Sequence, residues 1–271
     1  MTYQVVAFDL DGTLLNSQGQ ILPSSKQAIR RLVEKGIKVV LVTGRHHTAA
    51  RPYHYELQLD TPIICCNGTY LYDTATNSMP LANPLSKAQA LQVVKVAEKY
   101  QTHLLMYSRD AMNFLQINEH MQKFSAWVQH CPEQIRPNLR QLDSFEQLIR
   151  REDEIIWKFV ISHPQRSVME QAVAELPTDQ FSCEWSWIDR VDVAKNGNSK
   201  GGRLKDLLAL WQISPENVIA FGDNHNDISM LNAVGLGVAM GNAEEEVKRQ
   251  AKLVTLSNDD DGIAQILQQY C

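Results

Sequence analysis

Apolar residues in this chain come in short runs, each stopping at a polar cluster, with helically spaced stretches between them. Val5, Val6, Ala7 and Phe8 form the first run, which ends at Asp9-Leu10-Asp11-Gly12. Such a run predicts a strand buried on both faces. Ala28, Ile29, Leu32 and Val33 line one face of a predicted helix that Ser24 or Ser25 can cap and Gly36 can end. Residues 37–42 are a β-branched run stopping at Thr43-Gly44-Arg45. A second helix, interrupted near Pro52, leads to a strand over 62–66 that ends at Asn67-Gly68. This βαβαβ order predicts a parallel sheet with right-handed crossovers.

From about residue 84 to 189 the texture changes. Helical spacing over 86–100, 118–129 and 165–175 mixes with short strand-like runs over 103–107, 155–161 and 181–185. After Lys200 the parallel pattern returns: a helix over 202–211, a strand over 218–221 ending at Gly222-Asp223, a helix carrying Met230 and Leu231, and a strand over 236–240. The expected fold class is α/β, a Rossmann-like parallel-sheet core with an inserted α+β cap. Residues 1–83 and 190–271 would form a discontinuous core, and residues 84–189 the cap.

Composition narrows the partners. At 271 residues the chain can fill two hydrophobic cores. A net charge of −5 argues against nucleic acid or an anionic membrane as partner. No apolar stretch approaches the roughly 20 residues a bilayer span needs, and the start of the chain carries no signal-peptide pattern. Cys65, Cys66, Cys131, Cys183 and Cys271 show no paired spacing, as expected of a reduced, cytoplasmic protein. Eight histidines show no zinc-ligand spacing.

Candidate chemistry sits at the ends of the predicted strands. Strand alternation lets Asp9 and Asp11 face one reacting group, and their mutual repulsion calls for a divalent cation. Taken alone, Asp-x-Asp-Gly also suits a helix cap or a solvated turn. Thr43 and Gly44 end the second strand; Asp223, Asn226 and Asp227 end a later one. Ligands of open α/β sheets bind at that edge, where strand order reverses. Phosphoryl transfer needs a nucleophile, a cation and donors for the equatorial oxygens, and this set can supply each. Asp9 can attack phosphorus, Asp11 can protonate the leaving group and activate water, and Asp223 can complete an oxygen-rich Mg²⁺ site with Asp9 and a backbone carbonyl near Asp11. Lys200, the Thr43 hydroxyl and backbone N–H groups around Leu10 and Gly44 can hold the phosphate.

Asp9-x-Asp11-Gly12-Thr13, Thr43-Gly44-Arg45, Asn198-Ser199-Lys200-Gly201 and Gly222-Asp223-x-x-Asn226-Asp227 together resemble the four ordered motifs of haloacid dehalogenase-like phosphatases. The position of the insertion, after Asn67-Gly68, resembles the Cof-type subfamily with its C2-type cap. The resemblance implies Asp9 as nucleophile and Asp11 as acid/base. It implies Mg²⁺ held by Asp9, Asp11 and Asp223, with Asp227 supporting from behind. It also implies phosphate contacts from Leu10, Thr43, Gly44, Lys200 and Asn226. A small phosphorylated metabolite would be the partner, and residues in the cap would choose it. Glu184, Trp185 and Trp187, together with Asn67, are the specificity candidates, and the alternative for one or both tryptophans is packing in the cap's own core. With Arg45-His46-His47, residues 64–72 and Gly197-Asn198-Ser199-Lys200-Gly201, these surroundings resemble those of Cof-type pyridoxal phosphate phosphatases. Pyridoxal 5′-phosphate is therefore an expected substrate. A sugar phosphatase or phosphomutase is an alternative, and a non-enzymatic receiver-type switch a distant one. Oligomeric state has no sequence signal here.

Overall fold

In the computed structural model, which describes residues 3–271 and of residues 119, 120 and 187 only the backbone, the run Val5–Phe8 lies inside a five-stranded sheet. The order is Leu253–Val254, Leu236–Ala239, Val218–Gly222, Val5–Phe8, Lys38–Leu41, and the neighbours pair in parallel. Phe8 is level with both Phe221 and Leu41. The residues just beyond them (Asp9, Thr43 and Asp223) therefore emerge at one edge. Val5–Phe8 is flanked by an early strand on one side and a late strand on the other, so strand order reverses there and opens a crevice.

The three central strands of this sheet are buried throughout. Val5, Ala7, Val40, Val42, Val218 and Ala220 pack with Leu204, Leu207 and Leu208 of the helix Lys200–Trp211. Phe8 stacks on Phe221 with ring centroids 5.0 Å apart. Each fully buried aliphatic or aromatic side chain contributes about 1.5–3 kcal/mol.

Local details depart from expectation. The first helix spans Pro23–Glu34 with Leu22 in the cap position, so Ser24 and Ser25 lie inside it and neither caps it. Pro23 supplies the start, because its fixed φ and missing N–H suit the first helical position. Val33 is 41% exposed and drops out of the expected apolar face. The helix His47–Glu56 runs through Pro52 without a break.

The chain divides into two compact units: residues 1–45, 53–81 and 199–271 form one, residues 46–52 and 82–198 the other. The second is built on a six-stranded sheet in the order Phe181–Trp187, Arg190–Lys195, Ile156–Ser162, His103–Ser108, Met112–Phe114, Leu139–Gln141. On one face, Met106, Phe159, Ile161, Val191 and Val193 pack with Val93 and Val94 of Lys87–Lys99, Leu148 of Phe145–Ile149, and Met169 of Arg166–Ala174. Side chains of the alternate register, among them Leu105, Met112 and Val160, pack with Met121 and Phe124 instead.

The expected boundary at 189/190 is corrected by strand pairing. Arg190–Lys195 is antiparallel to both Phe181–Trp187 and Ile156–Ser162, so it belongs to the second unit, which continues to residue 198. Ile188-Asp189 is a hairpin connection and not an exit from the unit; in sequence the two read alike.

His46 and His47 are buried, with rings 4.3 Å apart. His46 pairs Nδ1 with the Thr48 hydroxyl (2.9 Å) and Nε2 with the Ser108 carbonyl (2.9 Å). Burial pushes the pKa of His46 down to about 4, opposed by the Ser108 carbonyl and Asp110 and assisted by Lys158 and Arg51. Burial pushes His47 down to about 2, helped by His46 and Arg51. An unfolded imidazole protonates near pH 6.5, so the unfolded chain binds protons that the folded one refuses. The stability these histidines contribute is complete above about pH 6.5 and is lost as pH falls towards their folded values. The expected slope is up to about 1.4 kcal/mol per pH unit for each ring. Urea midpoints between pH 7 and 4.5 check it: the gap between wild type and His47→Phe should narrow, then reverse, as pH falls.

Candidate active site

At the edge where strand order reverses, three carboxylates converge. Oxygens of Asp9, Asp223 and Asp227 lie within 4.8 Å of one another. Asp9 is 4% exposed and Asp227 fully buried. Lys200, 1% exposed, places Nζ 2.7 Å from Asp9 Oδ1 and 2.7 Å from Asp227 Oδ1. One ammonium among three carboxylates leaves an excess of negative charge in a low-dielectric place.

Each group is held from behind. Asp227 Oδ2 accepts the backbone N–H groups of Asp223 and Asn224, each at 3.0 Å, which closes the turn after Gly222. Asp223 Oδ1 accepts the Thr13 hydroxyl at 2.6 Å, and a Cβ on Gly12 would fall 2.3 Å from Asp223 Oδ2. Gly12 has φ +77°, so glycine is required there both by conformation and by the approach of Asp223. Gly222 answers a similar need: a Cβ there would fall 2.4 Å from that of Asp227.

Titration follows from this crowding. Burial raises the Asp9 carboxyl well above its usual range; Lys200 opposes this, and Asp227, Asp223 and Asp11 add to it. Asp223 is pushed up to about 7 by burial and Asp227, against the Thr13 hydrogen bond and Lys200. Burial works to discharge Lys200, but Asp227 and Asp9 more than offset it and hold its pKa above the ordinary lysine range.

The phosphate-binding candidates surround the cluster. Thr43 is buried at the end of its strand, with its N–H bonded to the Ile64 carbonyl and its hydroxyl oxygen accepting the Arg45 N–H at 3.1 Å. Gly44 faces Asn67, whose Oδ1 would lie 2.9 Å from an added Cβ. Asn67 adopts φ +55° and accepts the Asn226 side-chain amide at 3.2 Å. The buried Oδ1 of Asn226 has no hydrogen-bond partner among the described residues. Leu10 is buried, and its carbonyl accepts the N–H groups of Thr13 and Leu15, which fold the turn around Asp11.

Asp11 departs from expectation. Its carboxylate is not in the acidic cluster: it is 62% exposed and clamped by Arg45, with Nε 2.8 Å from Oδ2 and Nη2 2.6 Å from Oδ1. An Arg fork satisfies both carboxylate oxygens at once, so the side chain turns towards Arg45 and leaves the backbone carbonyl near Asp11 as the ligand that residue can offer. Asp227, expected to support from behind, brings its own oxygens into the cluster. Two contributors were missed in the sequence, Thr13 and Arg45. Both were visible inside their motifs; what was lacking was any sign of which neighbour each would touch.

The specificity candidates separate. Asn67 sits among the core residues just described. Trp185 packs against the hydrophobic core of the second unit, with the Arg166 guanidinium 4.1 Å from its ring centroid. That placement makes Trp185 a packing residue, because strand alternation turns it to the helix-covered face. Glu184 points to the opposite face, level with Asp192, whose carboxylate is paired with the buried Lys158. The Trp187 side chain lies outside the described residues.

The model of one family, described as haloacid dehalogenase-like hydrolase, matches residues 6–267. The chain belongs to that family. It is 43% identical over 271 residues to pyridoxal phosphate phosphatase YbhA of Escherichia coli, covering 100% of this chain and 99% of the relative. It is 30% identical to the 5-amino-6-(5-phospho-D-ribitylamino)uracil phosphatase YitU of Bacillus subtilis, covering 98% and 97%. A solved haloacid dehalogenase-like hydrolase from Bacteroides thetaiotaomicron superposes with a TM-score of 0.86 at 27% identity, covering 99% of both chains. The α/β fold and the resemblance read from the four motifs both stand. Among the described residues, no helix is long and apolar enough to cross a membrane.

The donor set fits a hard divalent cation. All the side-chain ligands on offer are carboxylate oxygens, the preference of Mg²⁺, and the surplus of negative charge over Lys200 is what such an ion would neutralise.

Proposed function

We propose that this haloacid dehalogenase-type phosphatase hydrolyses small phosphate monoesters in a Mg²⁺-dependent reaction through an aspartyl-phosphate on Asp9. Pyridoxal 5′-phosphate is proposed among its substrates. The observation that carries the reading is the placement of Asp9, buried at a strand end, in contact with Lys200 and beside Asp223 and Asp227.

In the first half-reaction a carboxylate oxygen of Asp9 attacks phosphorus, and the bond from phosphorus to the ester oxygen breaks. Asp11 gives its proton to the departing alkoxide. In the second half-reaction Asp11 takes a proton from water as the water oxygen attacks phosphorus. The acyl-phosphate bond breaks, returning Asp9 as carboxylate and releasing inorganic phosphate. Splitting one displacement into two keeps each step within reach of a positioned acid or base. Lys200, the Thr43 hydroxyl and backbone N–H groups near Leu10 and Gly44 would hold the phosphoryl oxygens. Mg²⁺, when held by Asp9, Asp223 and Asp227, would offset charge on the phosphoryl group.

Full-length similarity to a pyridoxal phosphate phosphatase supports the substrate assignment. The test is a phosphate-release screen over phosphorylated metabolites, with pyridoxal 5′-phosphate included and sugar bisphosphates added as mutase acceptors. Release is expected with Mg²⁺ and should fall by at least about 100-fold after chelation. Phosphate release unaffected by chelation would remove the cation from the reading. Transfer to a sugar hydroxyl without release would make the protein a mutase, and a stable phospho-Asp9 without turnover would make it a switch.

A further inference from the structure

Arg45 is a firmly anchored cation beside the site that the proposed reaction leaves unused. Its N–H donates to the Thr43 hydroxyl oxygen at 3.1 Å, and its carbonyl accepts the Cys66 N–H at 3.0 Å. Its guanidinium carbon lies 5.1 Å from the centroid of the Tyr53 ring. Backbone and head group are thus both fixed, and only 21% of the side chain reaches solvent.

Asp11 is the opposite case. It follows a buried strand but lies on a turn closed by Gly12 at φ +77°, with most of its carboxylate in solvent. A side chain so exposed would ordinarily sample several rotamers. The Arg45 fork removes that freedom by binding both oxygens, at 2.6 and 2.8 Å. A lysine in the same place would offer a point charge without the matching plane.

We propose that Arg45 is a positioning residue for Asp11, setting the direction from which its carboxyl group exchanges protons with the leaving group and with water. This inference rests on Asp11 acting as the acid/base. The leaving group supplies the readout. An alkyl phosphate expels a strongly basic alkoxide and needs the proton, whereas p-nitrophenyl phosphate expels a stable anion and hardly needs it.

The experiment is a double-mutant cycle of Arg45→Met and Asp11→Asn, measured with glycerol 3-phosphate and with p-nitrophenyl phosphate at saturating Mg²⁺. For Arg45→Met, kcat with the alkyl ester is expected to drop about 10- to 100-fold and kcat with the aryl ester less than about threefold. In the Asp11→Asn background the further change should vanish, because the residues act as one unit. Arg45→Lys should recover only part of the alkyl-ester loss.

Equal losses on both esters, or additive losses in the cycle, would overturn the role of Arg45 while leaving Asp11 intact. Full alkyl-ester activity in Asp11→Asn would instead overturn the acid/base reading beneath it. Thermal unfolding of each variant removes misfolding as a cause. Should Arg45→Met unfold, Tyr53→Leu, which removes the ring beneath the guanidinium together with a hydroxyl partner of Arg45, is expected to show a weaker form of the same ester preference. Its absence would count against the proposal.

Discussion

Asp9→Asn should abolish phosphate release while leaving the protein folded and at least as stable as wild type. The amide keeps the shape of the carboxylate and can still accept a hydrogen bond from Lys200, which lies 2.7 Å away. It cannot form an acyl-phosphate, so the two-step route closes; losses of about 10⁴-fold or more are usual when a covalent nucleophile is removed. Stability should move the other way. Asp9 is buried beside Asp223 and Asp227, and burial already drives its carboxyl towards the neutral form. A neutral side chain at this position relieves repulsion that the metal-free fold otherwise carries. The paired measurement is phosphate release at saturating Mg²⁺ and a Mg²⁺-free thermal melt. Wild-type-level turnover by Asp9→Asn would remove Asp9 from the role of nucleophile. A steep loss of stability would show the carboxylate to be structural instead.

Much of this site was legible in the sequence because its groups sit where apolar runs stop. Strands buried on both faces read as continuous hydrophobic stretches, and Val5–Phe8 and Val218–Gly222 carry no other signal. Their parallel register then brings Asp9 and Asp223 level, since Phe8 pairs with Phe221. What stayed hidden depends on side-chain direction. Asp11 lies two residues beyond Asp9, but the strand ends at Phe8 and the backbone turns from Leu10 onward, so strand alternation no longer governs where the carboxylate points. The Arg45 fork then decides it. Trp185 shows the same limit in the second unit. An aromatic at strand spacing has an equal claim on either face, and only the helices packed against Val191 and Val193 say which face is core. Strand Arg190–Lys195 belongs to the second unit although its sequence suits either, because the Ile188-Asp189 turn looks the same whether the chain leaves a sheet or doubles back into it.

Lys200→Met should cost both stability and turnover, and the two losses should respond differently to a second change. Nζ bridges Asp9 Oδ1 and Asp227 Oδ1 with almost no exposure to water. Methionine fits the volume but strands two carboxylates without a counter-ion. Breaking a buried ion pair from one side costs about 3–5 kcal/mol, an effect that urea denaturation in chelator should read directly. The backbone has little room to adjust. A Cβ on Gly201 would lie 2.1 Å from the Ser229 carbonyl oxygen, so the helix beginning at Lys200 is pressed against its neighbour. Adding Asp227→Asn to Lys200→Met removes one stranded charge and should restore part of the stability, and saturating Mg²⁺ should restore part of it by supplying positive charge. Neither should restore turnover, because the phosphoryl group would still lack the ammonium that faces Asp9. A Lys200→Met variant as stable as wild type in chelator would mean the carboxylates have another partner. One that kept wild-type turnover would show that the ammonium balances buried charge and takes no part in holding phosphate.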